Sequence, residues 1–268
     1  MDNYRVFFGF EKEPFTSDLK PAQILKTDEL AAVQNRFDYA INLGGIGLVT
    51  GEIGSGKSTA LRYSASTLHP SEYNCIYVVA SSGSIIELYR QITSELQIFK
   101  SSNSKAFLTD MIRKEIKKQV AAKKMKMVLI IDEASLLRLE VFTELHTITQ
   151  FNKDSKPWLP IILAGQSNLV DKLMYRGSGP LSSRVIARSH LEGLNLKMMR
   201  QYLTHHLNIA GVTTKLFDET AITAIHQGSG GLLRKANHLA RGSLIAAAKQ
   251  KSMAVKADHV RLASTEIF

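Results

Sequence analysis

A single cysteine, Cys75, stands in an otherwise thiol-free chain. One thiol excludes an intrachain disulfide framework and any zinc centre built from several cysteines, and it fits a reducing cytoplasm. Long apolar runs are missing as well. Charged residues such as Lys57 and Arg62 interrupt each hydrophobic stretch before it reaches the ~18 residues a membrane-spanning helix needs, so no stable membrane insertion is expected. The start, Met1-Asp2-Asn3-Tyr4-Arg5, has no basic cluster followed by an apolar run, so no signal peptide is predicted. Eight histidines, His205-His206 among them, form no metal-ligand spacing with Cys or Asp. Acid is in deficit: 34 Lys and Arg against 24 Asp and Glu give a formal charge of +10. That balance favours polyanionic partners by long-range attraction and says nothing about fold.

What is present belongs to an ordinary globular protein, 44% hydrophobic and 22% charged over 268 residues. That length suits one large domain and a small one. The opening, from Met1 to Pro21, carries Phe7, Phe8, Phe10 and Phe15 without helical or strand period, and is expected to pack on the core of the first domain. Lys26 to Leu43 reads as a helix, with Leu30, Val33, Phe37 and Ile41 three or four apart and Thr27 as its start signal. Four short apolar runs then read as buried strands: Ile46 to Thr50, Cys75 to Ala80, Met127 to Ile131 and Leu159 to Ala164. Helices are expected between them at Lys57 to Leu68, Ile85 to Leu96 after an N-cap at Ser84, around Leu108, Ile112, Ile116 and Val120, and at Leu136 to Phe151. Strands alternating with helices imply an α/β fold with a parallel sheet between helical layers. From Asn195 strand signals stop, and helices are expected at Leu196 to Ala210, Asp218 to His226 and Leu232 to Lys249. The predicted domains are therefore residues 1–194, an α/β core that includes the aromatic opening, and 195–268, a small helical domain.

Chemistry concentrates first in Gly51-Glu52-Ile53-Gly54-Ser55-Gly56-Lys57-Ser58, which satisfies G-x-x-x-x-G-K-[ST] between a predicted strand and a predicted helix. Glycines let backbone amides curl around phosphate oxygens, Lys57 reaches the outer phosphates, and Ser58, followed by Thr59, offers a hydroxyl to Mg²⁺. ATP and Mg²⁺ are the predicted cofactors, with hydrolysis the predicted reaction. About 75 residues on, Asp132 and Glu133 end an apolar strand. Asp132 is placed to hold Mg²⁺ through water and Glu133 to polarise the attacking water, since phosphoryl transfer depends on positioning and charge more than on covalent chemistry. Gln166 or Asn168, after the fourth strand, is a candidate γ-phosphate sensor. Arg184 or Arg188 is a candidate arginine finger, a role that suits a fork-shaped, permanently charged group. Arg234, at a helix start after Gly228-Ser229-Gly230-Gly231, is a candidate lid arginine. A guanine site is excluded, because Asn152-Lys153-Asp154 puts the acid one residue early for Asn-Lys-x-Asp.

These residues together resemble the AAA+ ATPases of the ExeA/GspA type, whose relatives include the transposition regulators TniB, TnsC and MuB. The likeness rests on Phe8-Gly9-Phe10 with Glu13-Pro14-Phe15, on the loop Gly51 to Ser58, on Gly165-Gln166, on Ser183-Arg184 to Arg188, and on Gly230-Gly231-Leu232-Leu233-Arg234-Lys235-Ala236-Asn237. Leu233 stands where that family commonly has proline, and Ser58 where threonine is commoner. The secretion members carry a membrane segment and a peptidoglycan-binding domain, and neither is expected for this chain. The resemblance therefore implies a short form that assembles as a ring or filament on double-stranded DNA and recruits a DDE transposase, with an ATPase of a type II secretion system as the alternative. Charge agrees in part: Asn195 to Phe268 holds 10 Lys and Arg against 4 Asp and Glu. Arg113, Lys114, Lys117, Lys118, Lys123, Lys124 and Lys126 form the densest cluster in the core.

Overall fold

The computed structural model describes residues 4–100 and 102–267. In chain order the elements are α1 (Tyr4–Phe8), α2 (Asp28–Leu43), β1 (Ile46–Gly51), α3 (Lys57–Ser66), β2 (Tyr73–Val79), α4 (Ile85–Glu95), α5 (Lys105–Lys123) and β3 (Lys126–Asp132). There follow α6 (Leu139–Glu144), β4 (Ile161–Gly165), α7 (Asn168–Met174), α8 (Gly179–Ser182), β5 (Val185–Leu191), α9 (Leu196–Ile209), α10 (Glu219–Ser229), α11 (Leu233–Lys249) and α12 (Ala257–Ile267). Among the described residues, no helix is long and apolar enough to cross a membrane. The chain divides into two compact units. One is Thr27–Gly51 with Lys57–Leu191; the other gathers the opening segment to Lys26, Glu52–Gly56 and everything from Glu192 onward.

The first unit is built on a five-stranded parallel sheet in the order β2-β3-β4-β1-β5. β1, β3 and β4 are interior strands, buried along almost their whole length. Strands covered on both faces need side chains apolar at every position, which is why Val128-Leu129-Ile130-Ile131 and Ile161-Ile162-Leu163-Ala164 read as continuous runs. Leu129, Ile131, Ile161 and Leu163 join a cluster with Ile92, Ile112, Ile116 and Phe142. Val128, Ile130, Ile162 and Ala164 are just as buried on the opposite face. There α2 lies so near β1 that a Cβ on Gly47 would be 3.2 Å from Ala40. Each fully buried Leu or Ile in these layers contributes roughly 1.5–3 kcal/mol. α2 begins as the sequence indicates, the Thr27 hydroxyl accepting the Leu30 amide at 3.1 Å.

Two expectations need correction here. β5 was not foreseen, because Arg188, Ser189 and His190 break its apolar run; as an edge strand it needs only the alternate positions Ala187, Ser189 and Leu191 inward. The helix expected from Leu136 to Phe151 is instead two 3-10 turns flanking α6. Leu137 and Arg138 adopt extended backbone angles that stop one helix before the next starts. Further on, Thr147, Ile148 and Thr149 are weak helix formers that settle into the tighter 3-10 form.

The second unit is helical, with α9 to α12 packed around Met199, Leu203, Ile225, Leu239 and Leu244. The aromatic opening belongs to it. Phe8, Phe10 and Phe15 are buried in this helical cluster rather than in the core of residues 27–191, where the sequence reading put them. Phe15 stacks on His206 at 5.3 Å, and the Arg241 guanidinium donates to the Phe15 carbonyl at 2.7 Å. A segment with no period of its own takes its place from its partners, which the local sequence does not encode.

Candidate functional site

The Gly51–Ser58 loop leaves the C-terminal end of β1, and α3 starts at Lys57. The Lys57 side chain is 6% exposed, and its ammonium donates to the Gly51 carbonyl at 2.9 Å. An ammonium held inside the loop's own turn is preorganised for an anion arriving at the amides of the helix start. Gly54 and Gly56 have φ of 84° and 102°, a left-handed region open chiefly to glycine. Space is denied to any side chain as well: a Cβ on Gly54 would lie 2.8 Å from the Arg234 Cβ, and one on Gly56 2.9 Å from a Leu233 methyl. The Arg234 amide donates to the Gly54 carbonyl at 3.2 Å, so the first turn of α11 sits directly on this turn of the loop.

β3 delivers the acids. Asp132 is 3% exposed at the strand's end, and one carboxylate oxygen accepts the Glu133 amide at 2.8 Å. The other accepts the Tyr77 hydroxyl, also at 2.8 Å. Tyr77 comes from β2, two residues before Val79, which is the register partner of Asp132. Burial first, then the Asp132 charge, pushes the Tyr77 phenol far above its ordinary range, so it stays a donor at any working pH. Glu133 takes a left-handed backbone conformation, φ 52°. Lys172 of α7 holds the turn that follows, its ammonium donating to the carbonyls of Ser135 at 2.6 Å and Leu137 at 2.7 Å. Sequence reading missed both Tyr77 and Lys172. A phenol within the apolar end of β2, between Ile76 and Val78, was the available signal for the first; the second had none.

The remaining candidates divide by position. Gln166 follows β4, and β4 lies between β1 and β3 in the sheet, so Gln166 leaves the same sheet end as Gly51 and Asp132. Asn168 opens α7 and is exposed. Arg184 is elsewhere. Its carbonyl accepts the amide of Ile46, the first residue of β1, and its guanidinium binds Asp154 at 2.5 Å and the Pro180 carbonyl at 3.0 Å. Five residues of β1 at about 3.3 Å each separate that end from Gly51. Arg188 lies in β5 opposite Leu48, exposed on the sheet's edge. Thr59 follows Ser58 in the first turn of α3. Cys75 is no nucleophile here, since burial pushes its thiol up to about 11.

The residues fit a Mg²⁺-nucleotide. The Ser55 hydroxyl is buried in the loop without a hydrogen-bond partner, as a donor awaiting a phosphate oxygen would be. Among the described residues no three His, Cys, Asp or Glu side chains gather to hold a metal unaided. One carboxylate with phosphate oxygens is the usual way Mg²⁺ is held in such sites.

The comparisons agree. A family model described as an AAA domain matches residues 41–173. General secretion pathway protein A of Aeromonas hydrophila is 30% identical over 266 residues, covering 98% of this chain and 48% of that protein. The chain thus spans about half the length of the curated relative it matches. Among solved structures, Cdc6p of Pyrobaculum aerophilum superposes with a TM-score of 0.76 at 14% identity, over 95% of this chain and 70% of that one. The ORC1 protein of Aeropyrum pernix in complex with DNA gives 0.66 at 14%, over 94% and 68%. With the parallel sheet carrying the loop and the acid pair, residues 41–173 are an AAA domain, on the P-loop ATPase fold these structures share.

Proposed function

We propose that the chain works as a nucleotide switch: it binds ATP with Mg²⁺ at Gly51 to Thr59, and Glu133 activates the water that cleaves the γ-phosphate. The observation that carries this reading is the common exit of β1, β3 and β4, which sends Lys57, Asp132 and Gln166 from one sheet end. Bound Mg²⁺ would neutralise phosphate charge, with Ser58 and Asp132 as its protein partners. Lys57 supplies the buried cation for the outer phosphates. Gln166 reads the γ-phosphate, Arg234 reads the bound nucleotide from the start of α11, and Arg184 serves the nucleotide of a neighbouring copy. Phosphate release by the purified chain tests the reading, with Lys57→Ala expected to lose ATP binding. Unaltered binding by that variant would refute it.

For the work the switch does, we infer assembly of ATP-bound copies on double-stranded DNA and recruitment of a DDE transposase. Support comes from the charge of +10 and from a fold shared with a protein solved on DNA. The basic face of α5 is a weaker support than its sequence suggests. Lys114 pairs with Asp110 at 2.8 Å, Lys118 with Glu115 at 3.5 Å, and Arg113 lies over the Phe151 ring. Exposed Lys117, Lys123 and Lys124 remain the better phosphate contacts. The 30% identity to a secretion pathway protein favours the second reading, an ATPase acting on an envelope partner. Sedimentation with duplex DNA and, separately, with anionic vesicles, with and without a slowly hydrolysed ATP analogue, separates the two. Nucleotide-dependent pelleting with DNA supports the first; pelleting with vesicles and indifference to DNA supports the second.

A further inference from the structure

We propose that Tyr77 is a positioning residue for the nucleotide's Mg²⁺, aiming the Asp132 carboxylate through its hydroxyl. The inference rests on the ATPase reading and deepens it. A carboxylate has about four lone-pair directions. The Glu133 amide takes one on the first oxygen and the Tyr77 hydroxyl takes one on the second, each at 2.8 Å. These two bonds fix the rotation of the carboxylate about its last bond and leave its remaining lone pairs for the water shell of a cation. Both donors are uncharged, so they orient the anion without cancelling it. A fixed, still anionic carboxylate is what a metal partner requires.

The placement follows from strand register. Val79 is paired with Asp132, so Tyr77 points to the same sheet face one step back, at the diagonal position from which an aromatic side chain reaches its cross-strand neighbour. Phenylalanine would fill the same half-buried place in β2. Only the hydroxyl needs Asp132, which separates the role from packing. Arg62 of α3 also acts on the Tyr77 phenol, opposing the upward shift that burial and Asp132 impose.

The test compares wild type and Tyr77→Phe in two assays. Binding of a fluorescent ATP analogue is measured in EDTA and across a Mg²⁺ titration, and hydrolysis is measured across the same titration. For the variant, the Mg²⁺ giving half-maximal effect rises about tenfold in both assays, while affinity in EDTA stays within about twofold of wild type. Melting without nucleotide reports folding. Superimposable Mg²⁺ curves, or a fall in rate with an unchanged Mg²⁺ midpoint, would overturn the inference. A variant that no longer folds overturns it too, because the hydroxyl would then be structural. Wild type with neither nucleotide binding nor hydrolysis removes the ATPase reading and this inference with it; active wild type with an indifferent variant removes the inference alone.

Discussion

His206 makes the helical unit sensitive to acid. It lies in α9, 2% exposed, stacked on Phe15 and tilted against Tyr202 at 4.4 Å. Burial first, and the neighbouring His205 second, lower its pKa from 6.5 to about 4. The folded chain therefore keeps this ring neutral where the unfolded chain protonates it. Above pH 6.5 both states are neutral and nothing is lost; as pH falls from 6.5 towards 4 the unfolded state binds the extra proton and stability drops. Between pH 7 and pH 5 the loss integrates to about 2 kcal/mol. Urea unfolding followed by far-ultraviolet circular dichroism at the two pH values reads it. His206→Phe keeps a ring between Phe15 and Tyr202 without the titration, so its decline is smaller than that of wild type by about 2 kcal/mol, whatever its absolute stability. Equal declines in the two proteins would refute the reasoning.

The loop and the acids give further expectations. Gly54→Ala must place a methyl group at φ 84° and 2.8 Å from the Arg234 Cβ, a cost of about 2–4 kcal/mol; calorimetry should show ATP affinity lowered at least about thirtyfold. Glu133→Gln keeps ATP binding and slows turnover about 10²–10⁴-fold in a phosphate-release assay, as loss of a water-activating base does. Thr27→Ala removes the cap of α2 and lowers stability by about 1 kcal/mol in denaturant melts, with nucleotide affinity unchanged.

The sequence made the interior strands legible because burial on two faces demands unbroken apolar runs, and β1, β3 and β4 satisfy that demand locally. The Gly51 to Ser58 loop was legible for the same reason, since backbone geometry within eight residues dictates where glycine must stand. What escaped was non-local. β5 carries Arg188, Ser189 and His190 because an edge strand buries one face only, so its pattern is half as strong. Phe8, Phe10 and Phe15 announced burial without naming a partner, and their partners are helices almost two hundred residues away. Tyr77 touches Asp132 across 55 positions through a register that no local pattern specifies. The contact of the Arg234 amide with Gly54 belongs to the same class: each residue is conspicuous by itself, and only the fold joins them.

The position of Arg184 at the starting end of β1 and β5 constrains symmetry. The phosphate loop leaves the finishing end of the same sheet, so the two features occupy opposite ends of one rigid layer. If the guanidinium serves a nucleotide on another copy, the surface that gives and the surface that receives are different surfaces. A two-fold dimer satisfies both only by laying its copies antiparallel, so that each Arg184 end meets the other copy's loop end. The alternative is that copies follow one another head to tail, an arrangement that either closes into a ring or runs on as a helix. In either case its terminal or closing contact decides how many sites are complete, and the Asp154 carboxylate that now holds Arg184 must give it up at each junction formed.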